Sequence, residues 1–251
     1  MPTDPRVVAI IPARWASTRF PGKPLALIKN KPMIQWVVEQ AQKATRVSEV
    51  IVATDDDRVF DAVTEFGGKA VMTSEDHTTG SDRIAEVASG LKCDIVVNIQ
   101  GDEPLIPPEN IDQVIGCLNK NPTLNVATLM MAVHDSDEIT DSNVVKVVAD
   151  QKGRALYFSR SAIPFHRDEW KDGVPKDASR VYKHVGLYAY TRSFLLEFTR
   201  MSPTPIEQLE KLEQLRILEH GYPIQVEITD RVSMGVDRIE DLEKVEKLLG
   251  R

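Results

Sequence analysis

The feature that most restricts the fold is a regular alternation of short apolar runs and amphipathic segments in the first half of the chain. The apolar runs are short, rich in β-branched residues and apolar on both faces, and they cover residues 7–11, 50–53, 70–72 and 95–99. Such runs are typical of parallel strands that helices cover on both sides. The segment after the first run has helical spacing, with apolar residues at Met33, Ile34, Val37, Val38 and Ala41.

Helix signals complete this pattern. Pro32 suits the first turn of the first helix, and Gly67 and Gly68 end a second helix predicted over 56–66. A capping box at 79–82 opens a third helix over 81–90, and a fourth follows Pro107 and Pro108 to about residue 119. The sequence therefore predicts a Rossmann-like α/β fold, with a mainly parallel sheet and helices on both faces. Ligands of such sheets bind beyond the carboxyl ends of the strands.

The second half is less regular and predicts a smaller mixed sheet. We expect a single domain over 1–251, in which residues 130–190 form a smaller subdomain that contributes to a substrate site and to a dimer interface. The predicted strands cover 126–133, 144–149, 154–158, 183–190 and 224–229, the predicted helices 192–199, 205–219 and 239–249, and a long loop 163–180. The helix 205–219 is predicted to turn four apolar residues to the core, namely Ile206, Leu209, Leu212 and Leu215.

A cluster of cations follows the first strand in a chain that is acidic overall. The formal net charge is −7, which argues against broad binding to nucleic acid or to an anionic membrane. Arg14, Arg19 and Lys23 lie in a small-residue loop that could present backbone N–H groups and cationic side chains to phosphate. The same residues would also suit a solvated surface turn. The loop matches neither a Walker A motif nor a G-x-G-x-x-G motif.

Carboxylates follow two other predicted strands. Asp102 and Glu103 come just past the fourth strand, and Asp237 follows the strand predicted at 224–229. Mg²⁺ binds one or two protein carboxylates and completes its shell with phosphate oxygens and water. Asp102 could instead belong to a turn that ends a strand, and Asp237 could cap the helix that begins at 239. The two cysteines, Cys93 and Cys117, indicate neither a zinc site nor a disulfide framework.

A series of short motifs in order along the chain closely resembles the 3-deoxy-manno-octulosonate (Kdo) cytidylyltransferases of the nucleotide-diphospho-sugar transferase superfamily. The resemblance covers roughly residues 7–249. The motifs are Pro12-Ala13-Arg14, Ser17-Thr18-Arg19, Pro21-Gly22-Lys23-Pro24, Ala53-Thr54-Asp55-Asp56, residues 77–83, Gln100-Gly101-Asp102-Glu103-Pro104, Tyr157-Phe158-Ser159-Arg160, Lys183-His184-Val185-Gly186 and Leu212-Glu213-Gln214-Leu215-Arg216.

The resemblance implies an enzyme that joins CTP and Kdo to give CMP-Kdo and pyrophosphate with Mg²⁺, for lipopolysaccharide synthesis. It implies that Lys23 and Arg14 hold the triphosphate, that Asp102 and Asp237 share the metal, and that these four residues are catalytic. The implied nucleotide contacts are Pro12, Ala13, Arg14, Lys23, Thr79, Gly80, Ser81, Arg83, Gln100 and Asp102. The implied contacts to the sugar acid are Gln100, Arg160, His184, Tyr188, Glu213 and Gln214. The family usually has Ser-Gly-Thr where this chain has Thr79-Gly80-Ser81, and the exchange keeps a hydroxyl at both ends.

The sequence is also compatible with other functions. The chain could activate a related acid sugar, such as a sialic acid or 8-amino-Kdo. It could also be a glycosyltransferase that consumes a nucleotide sugar, or a nucleotide-binding protein without catalysis. Arg160 could form a structural ion pair instead of binding the sugar carboxylate. We expect a cytoplasmic homodimer with small-molecule substrates, no nucleic acid and no stable membrane association.

Overall fold

The computed structural model describes residues 5–16, 20–168, 170 and 180–249. The strands are β1 Val7–Ala13, β2 Leu27–Ile28, β3 Lys31–Pro32, β4 Glu49–Thr54, β5 Ala70–Met72, β6 Ile95–Asn98, β7 Val126–Ala132, β8 Lys146–Ala149, β9 Ala155–Ser159, β10 Tyr182–Thr191 and β11 Gln225–Ile228. The helices are α1 Met33–Gln42, α2 Asp57–Glu65, α3 Gly80–Ser89, α4 Pro108–Lys120, α5 Ser136–Thr140, α6 Arg192–Phe198, α7 Pro205–Glu210, α8 Gln214–Glu219 and α9 Ile239–Leu248.

Nine of the described strands form one twisted sheet, whose central path has the order β11-β7-β10-β6-β1-β4-β5. Strands β1, β4, β5 and β6 pair in parallel, as predicted. Strand β10 is antiparallel to β6, β7 and β8, and β9 is antiparallel to β8, so that the second half extends the same sheet in mixed orientation. The predicted fold class is confirmed.

Strand β1 shows why its sequence is apolar on both faces. Ala9 and Ile11 belong to the core under helices α1 and α4, whereas Val8 and Ile10 belong to the core under α3 and α6. All four side chains are fully buried. Helices therefore cover both faces of the strand, and the loop that follows it emerges at the carboxyl edge of the parallel strands.

The predicted helix over 205–219 is wrong in one respect, because the structure breaks it in two. Helix α7 ends where Lys211 adopts a left-handed conformation with φ of 55°, and α8 begins at Gln214. Leu212 and Leu215 are buried as predicted, but Leu209 is 83% exposed and Ile206 is 37% exposed. The break rotates α7 relative to α8, so the apolar stripe does not continue through both.

Two short elements were not predicted, and part of one predicted loop is not described. The sequence pattern did not predict the β2–β3 hairpin or α5, which are too short for a clear periodicity. Residue 19 and most of the loop predicted at 163–180 lie outside the described residues. Across the described part of the chain, no helix has both the length and the apolar character needed to cross a membrane.

Candidate functional site

The carboxyl ends of β1 and β6 lie so close together that their loops form one wall. A Cβ atom on Gly101 would lie 2.8 Å from the carbonyl oxygen of Pro12. Only a residue without a side chain allows this approach of two backbones. The loop from β1 and the loop from β6 therefore face the same space, as expected for a parallel sheet.

A pocket of about 190 Å³ opens between these loops, and we call it the basic pocket. Its lining is Pro12, Ala13, Arg14, Ala16, Lys23, Pro24, Met33, Gln100, Gly101 and Asp102. Gly22, with φ of 71°, precedes a short 3-10 turn that carries Lys23 into the pocket. The left-handed conformation suits glycine, so the sequence Gly22-Lys23-Pro24 sets the direction of the lysine. The structure thus brings together the phosphate-binding side chains that the resemblance implied.

Both predicted metal-binding acids contact the same ammonium group. The Nζ atom of Lys23 lies 2.6 Å from Oδ2 of Asp102 and 3.7 Å from Oδ1 of Asp237. Lys23 is largely buried, whereas Asp237 is exposed. Asp237 does not cap the last helix, since the N-cap position is Arg238. The two acids, more than 130 residues apart in sequence, therefore face one point of the basic pocket.

Two hydrogen bonds join the loop that bears Asp237 to the loop after β6. The backbone N–H of Val236 donates to the carbonyl oxygen of Asp102 at 2.8 Å. The hydroxyl of Ser233 donates to the Glu103 carboxylate at 2.7 Å. Burial raises the pKa of Glu103 to about 7, the Ser233 hydrogen bond opposes this shift and the charge of Asp102 adds to it. The carboxylate of Asp241 also accepts a hydrogen bond from the backbone N–H of Asp237 at 3.1 Å. Residues 102, 103 and 241 thus fix the loop around residue 237.

The acid pair fits a magnesium site of the kind that a triphosphate completes. Within the described residues, no group of three or more histidine, cysteine or acidic side chains is placed to enclose a metal. Asp102 and Asp237 already share one cation, the Lys23 ammonium, so their carboxylates reach a common point. Mg²⁺ that also binds phosphate needs only one or two protein carboxylates. The donor set therefore matches such an ion.

A second pocket of about 260 Å³ lies beside the first, and we call it the aromatic pocket. Its lining is Gly80, Ser81, Asn98, Gln100, Val145, His184, Tyr188, Tyr190, Lys211, Leu212, Glu213 and Gln214. Gln100 lines both pockets, and its side-chain amide donates to the carbonyl oxygen of Gly186 at 3.2 Å. Five of the six residues predicted to contact the sugar are therefore collected in one cavity.

His184 is held neutral in this cavity. Burial lowers its pKa to about 3, so the imidazole carries no charge near neutral pH. Its Nε2 atom lies 2.9 Å from the hydroxyl oxygen of Thr128, and its ring packs edge-on against Phe158. The backbone bulge between Val185 and Tyr188 is bridged by the same Thr128 hydroxyl. A neutral histidine in a fixed orientation suits hydrogen bonding to a ligand hydroxyl better than charge neutralisation.

Two predicted contact residues are engaged elsewhere. Arg160 donates to the carbonyl oxygens of Glu210, Ser142 and Lys211 and does not line the aromatic pocket. Arg83 is fully buried, and its guanidinium bonds to Asp55 and to the hydroxyl of Thr73. In this structure Arg160 stabilises the α7–α8 turn and Arg83 the core beside β4 and β5. Their predicted contacts to ligands stay predictions.

The segment predicted to face the base lies between the two pockets. Thr79 caps α3 by accepting a hydrogen bond from the backbone N–H of Asp82 at 3.1 Å. Gly80 lies close to Pro12, since a Cβ atom there would be 3.4 Å from the proline ring. Arg14 donates to the carbonyl oxygen of Thr78 at 2.9 Å. The nucleotide contacts implied at the end of β1 and at the start of α3 are therefore adjacent.

Sequence reasoning missed several residues of the aromatic pocket, among them Asn98, Val145, Tyr190 and Lys211. Asn98 and Tyr190 lie inside predicted strands, and a strand position alone does not show which face meets a cavity. Lys211 enters the lining because of the left-handed turn, which no glycine or asparagine signals in advance.

Comparison with known proteins agrees with this geometry. The family model described as cytidylyltransferase matches residues 8–229, which is most of the chain. The chain belongs to the cytidylyltransferase family.

Within this family, the similar curated proteins are 3-deoxy-manno-octulosonate cytidylyltransferases. The Geobacter sulfurreducens protein is 56% identical over 249 residues, covering 96% of this chain and 99% of the relative. The Solibacter usitatus protein is 50% identical over 243 residues, covering 97% of this chain and 94% of the relative. A solved structure of CMP:2-keto-3-deoxy-manno-octonic acid synthetase complexed with CTP has a TM-score of 0.91, at 44% identity over 98% of both chains.

A more distant structure shares the fold alone. The 4-diphosphocytidyl-2C-methyl-D-erythritol synthase from Anaerococcus prevotii has a TM-score of 0.65 at 14% identity, over 99% of this chain and 100% of the other.

Proposed function

We propose that this protein transfers the cytidylyl group of CTP to Kdo, forming CMP-Kdo and pyrophosphate for lipopolysaccharide synthesis. The observation that carries the proposal is the pair of adjacent pockets that share Gln100, one basic and one lined by hydroxyl, amide and aromatic groups. Membership of the cytidylyltransferase family supports CTP as the nucleotide. The names of relatives that match nearly the whole chain support Kdo as the acceptor.

The proposed reaction is an in-line displacement at the α-phosphorus. The anomeric oxygen of Kdo forms a bond to this phosphorus, the bond to the bridging oxygen of pyrophosphate breaks, and the hydroxyl proton is released. Such transfers depend mainly on positioning and on stabilisation of charge. Lys23 and Arg14 in the basic pocket supply the positive charge for the triphosphate. The aromatic pocket would orient the sugar through His184, Tyr188, Glu213 and Gln214.

We further propose that Asp102 and Asp237 hold Mg²⁺ in the working complex. A bound Mg²⁺ would neutralise phosphate charge and acidify the attacking hydroxyl. The proximity of both carboxylates to the Lys23 ammonium supports this assignment, because one cation already contacts the two acids. Lys23 must release at least one acid when the ion and the triphosphate bind, and its ammonium then becomes available to a phosphate oxygen.

The direct test is pyrophosphate release from CTP with Kdo, 8-amino-Kdo and a sialic acid as parallel acceptors. We expect the highest kcat/KM with Kdo. Preference for 8-amino-Kdo or a sialic acid would replace the sugar assignment but keep the chemistry. Transfer of Kdo from CMP-Kdo to another acceptor, with release of CMP and without any use of CTP, would contradict the proposal.

We also infer a homodimer that works in the cytoplasm, where CTP is available. Exposed apolar side chains in the second half support a surface for a second copy, notably Leu156 at 64% and Phe165 at 68% exposure. Light scattering behind size-exclusion chromatography should give twice the chain mass. The double variant Leu156→Glu, Phe165→Glu should give the mass of one chain.

A further inference from the structure

The hydroxyl of Ser81 makes a direct hydrogen bond to Glu213 within the lining of the aromatic pocket. Its Oγ atom donates to Oε2 of Glu213 at 2.6 Å. Ser81 lies in the first turn of α3 and is 6% exposed, and Glu213 immediately precedes α8. Both residues line the aromatic pocket. A short bond to a carboxylate in a mostly buried setting is stronger than a neutral hydrogen bond.

We propose that Ser81 is a positioning residue for the sugar side of the reaction, which orients the Glu213 carboxylate as an acceptor for sugar hydroxyls. This inference rests on the proposed function. It limits the role that the family resemblance implied for Ser81, because the hydroxyl proton is committed to Glu213 and the oxygen can only accept a hydrogen bond from the base. Base recognition then depends mainly on the neighbouring residues of the segment, and Ser81 links that segment to the sugar pocket.

The local chain does not fix the Glu213 side chain, so a hydrogen-bond donor from another element is needed to orient it. Glu213 follows directly on the left-handed turn at Lys211 and belongs to neither α7 nor α8. The cation one turn later, Arg216, is bonded to Glu207 through Nε at 2.8 Å. That arginine is therefore committed to another carboxylate, and Ser81 supplies the hydrogen bond from the facing helix. Without it, the Glu213 side chain would be free to change rotamer.

The charges around Glu213 give the proposal a pH signature. Burial raises the pKa of Glu213, and the Ser81 hydrogen bond is the main opposing influence. Asp82 on α3 and Glu207 on α7 also raise it, whereas Arg216 on α8 lowers it. From β10, the neutral hydroxyl groups of Tyr188 and Tyr190 face the same carboxylate. Removal of the Ser81 hydroxyl should therefore raise the pKa of Glu213 further.

The experiment compares Ser81→Ala with Ser81→Thr, which restores a hydroxyl, and with Ser89→Ala at the far end of α3. Ser89 bonds to the carbonyl oxygen of Glu86 outside both pockets. For each protein, steady-state kinetics give KM for Kdo and calorimetry gives Kd for CTP without sugar. For Ser81→Ala we expect kcat/KM for Kdo to fall about 10- to 100-fold, as for loss of a charge-assisted hydrogen bond. The Kd for CTP should stay within about twofold of wild type.

The acid limb of the pH profile of kcat/KM for Kdo should move to higher pH in Ser81→Ala and return towards wild type in Ser81→Thr. Glu213→Gln provides the second variant, and Ser81→Ala should have a smaller effect in that background because the charged acceptor is gone. Equal weakening of CTP and Kdo, or additive effects of the two substitutions, would overturn the proposal. Wild-type protein that releases no pyrophosphate with Kdo would instead contradict the proposed function itself.

Discussion

Lys23 occupies the position between two acids where a divalent ion is proposed to bind. Its ammonium lies 2.6 Å from Asp102 and 3.7 Å from Asp237, and the side chain is largely buried. An ion pair of this kind keeps the two acids together before ligands arrive. The same lysine can then contact phosphate, because its stem reaches the basic pocket lined by Arg14. Lys23 therefore contacts both acids in this structure, and in the proposed reaction the same side chain contacts the triphosphate.

Substitution of Lys23 by alanine should reduce kcat more than it raises KM for CTP. We expect a fall in kcat of about 100-fold, because in the proposed reaction the ammonium stabilises charge that develops in the transition state. Lys43→Ala is the matched control, since Lys43 is exposed at the end of α1 and bonds only to Gln40 among the contacts described. Initial rates of pyrophosphate release measure both variants. A higher KM for CTP with unchanged kcat would assign Lys23 to ground-state binding alone.

Asp102→Asn and Asp237→Asn should each reduce kcat by about 100-fold or more while CTP still binds. Asparagine keeps the size and one oxygen of each side chain but removes the charge that Mg²⁺ requires. Calorimetric titration with MgCl₂ in the presence of CTP gives a readout that does not depend on turnover, and Mg²⁺ affinity should weaken. Asp61→Asn, on the exposed face of α2, controls for loss of surface charge. Wild-type Mg²⁺ affinity in either variant would remove that acid from the metal site.

At the scale of elements, the site depends on the close approach of β1 and β6 at their carboxyl ends. Gly101→Ala should therefore lower the free energy of unfolding by about 1–3 kcal/mol, as other overpacked substitutions do. The added methyl group would lie 2.8 Å from the Pro12 carbonyl oxygen and push apart the loops that bear Arg14 and Asp102. The KM for CTP should also rise.

Gly116→Ala is the control within the same protein. Gly116 lies inside α4, where nothing lies within 4 Å of an added Cβ atom. Alanine there should stabilise the fold by about 0.5–1 kcal/mol. Urea unfolding measures both variants, and a Gly101→Ala protein as stable as wild type would show that the loops can separate without cost.

The elements that the sequence predicted well are those whose signals are local. The apolar run of β1 and the helical spacing of α1 are patterns of consecutive residues. These patterns alone indicate whether an element is buried on two faces or along one stripe. The break at Lys211 has no such signal. A lysine in the left-handed region is held there by Arg160, which lies just after β9 and donates to the carbonyl oxygens of residues 210 and 211. That support is a tertiary contact.

The same distinction separates the parts of the site. Lys23 and Asp102 follow predicted parallel strands, so the sequence alone predicts that both residues lie at the carboxyl edge of the sheet. The position of Arg160 could not be read in that way, because an arginine fork suits backbone carbonyls as well as a sugar carboxylate. The bond between Ser81 and Glu213 joins residues 132 positions apart and depends on where the turn between α7 and α8 lies relative to α3.

At the scale of the whole molecule, β10 lies between β6 and β7 and carries His184 into the interior beside the site. Burial lowers the pKa of this histidine from 6.5 to about 3. Between these pH values the unfolded chain binds a proton that the folded protein does not. His184 therefore makes its full contribution to the free energy of unfolding above pH 6.5. Below pH 6.5 this contribution decreases by about 1.4 kcal/mol for each pH unit.

Glu103 acts in the opposite sense over part of this range. Its pKa rises from 4.5 to about 7 on folding. Its contribution to the free energy of unfolding is therefore full below pH 4.5 and decreases as the pH rises to 7. The two effects offset each other between pH 4.5 and 6.5 in the wild-type protein. A variant at His184 separates them, because Glu103 is common to both proteins and cancels in the comparison.

We therefore predict that the difference in unfolding free energy between wild type and His184→Gln changes with pH. Glutamine retains a polar group for the Thr128 hydroxyl but takes up no proton. Measured by urea unfolding at several values from pH 7 to pH 4, the advantage of wild type should shrink by about 1.4 kcal/mol per unit below pH 6.5. His134→Gln, at an exposed position, is the control. A constant difference over this range would mean that His184 takes up a proton as readily in the folded protein as in the unfolded chain. The imidazole that faces a bound sugar acid would then be charged at low pH.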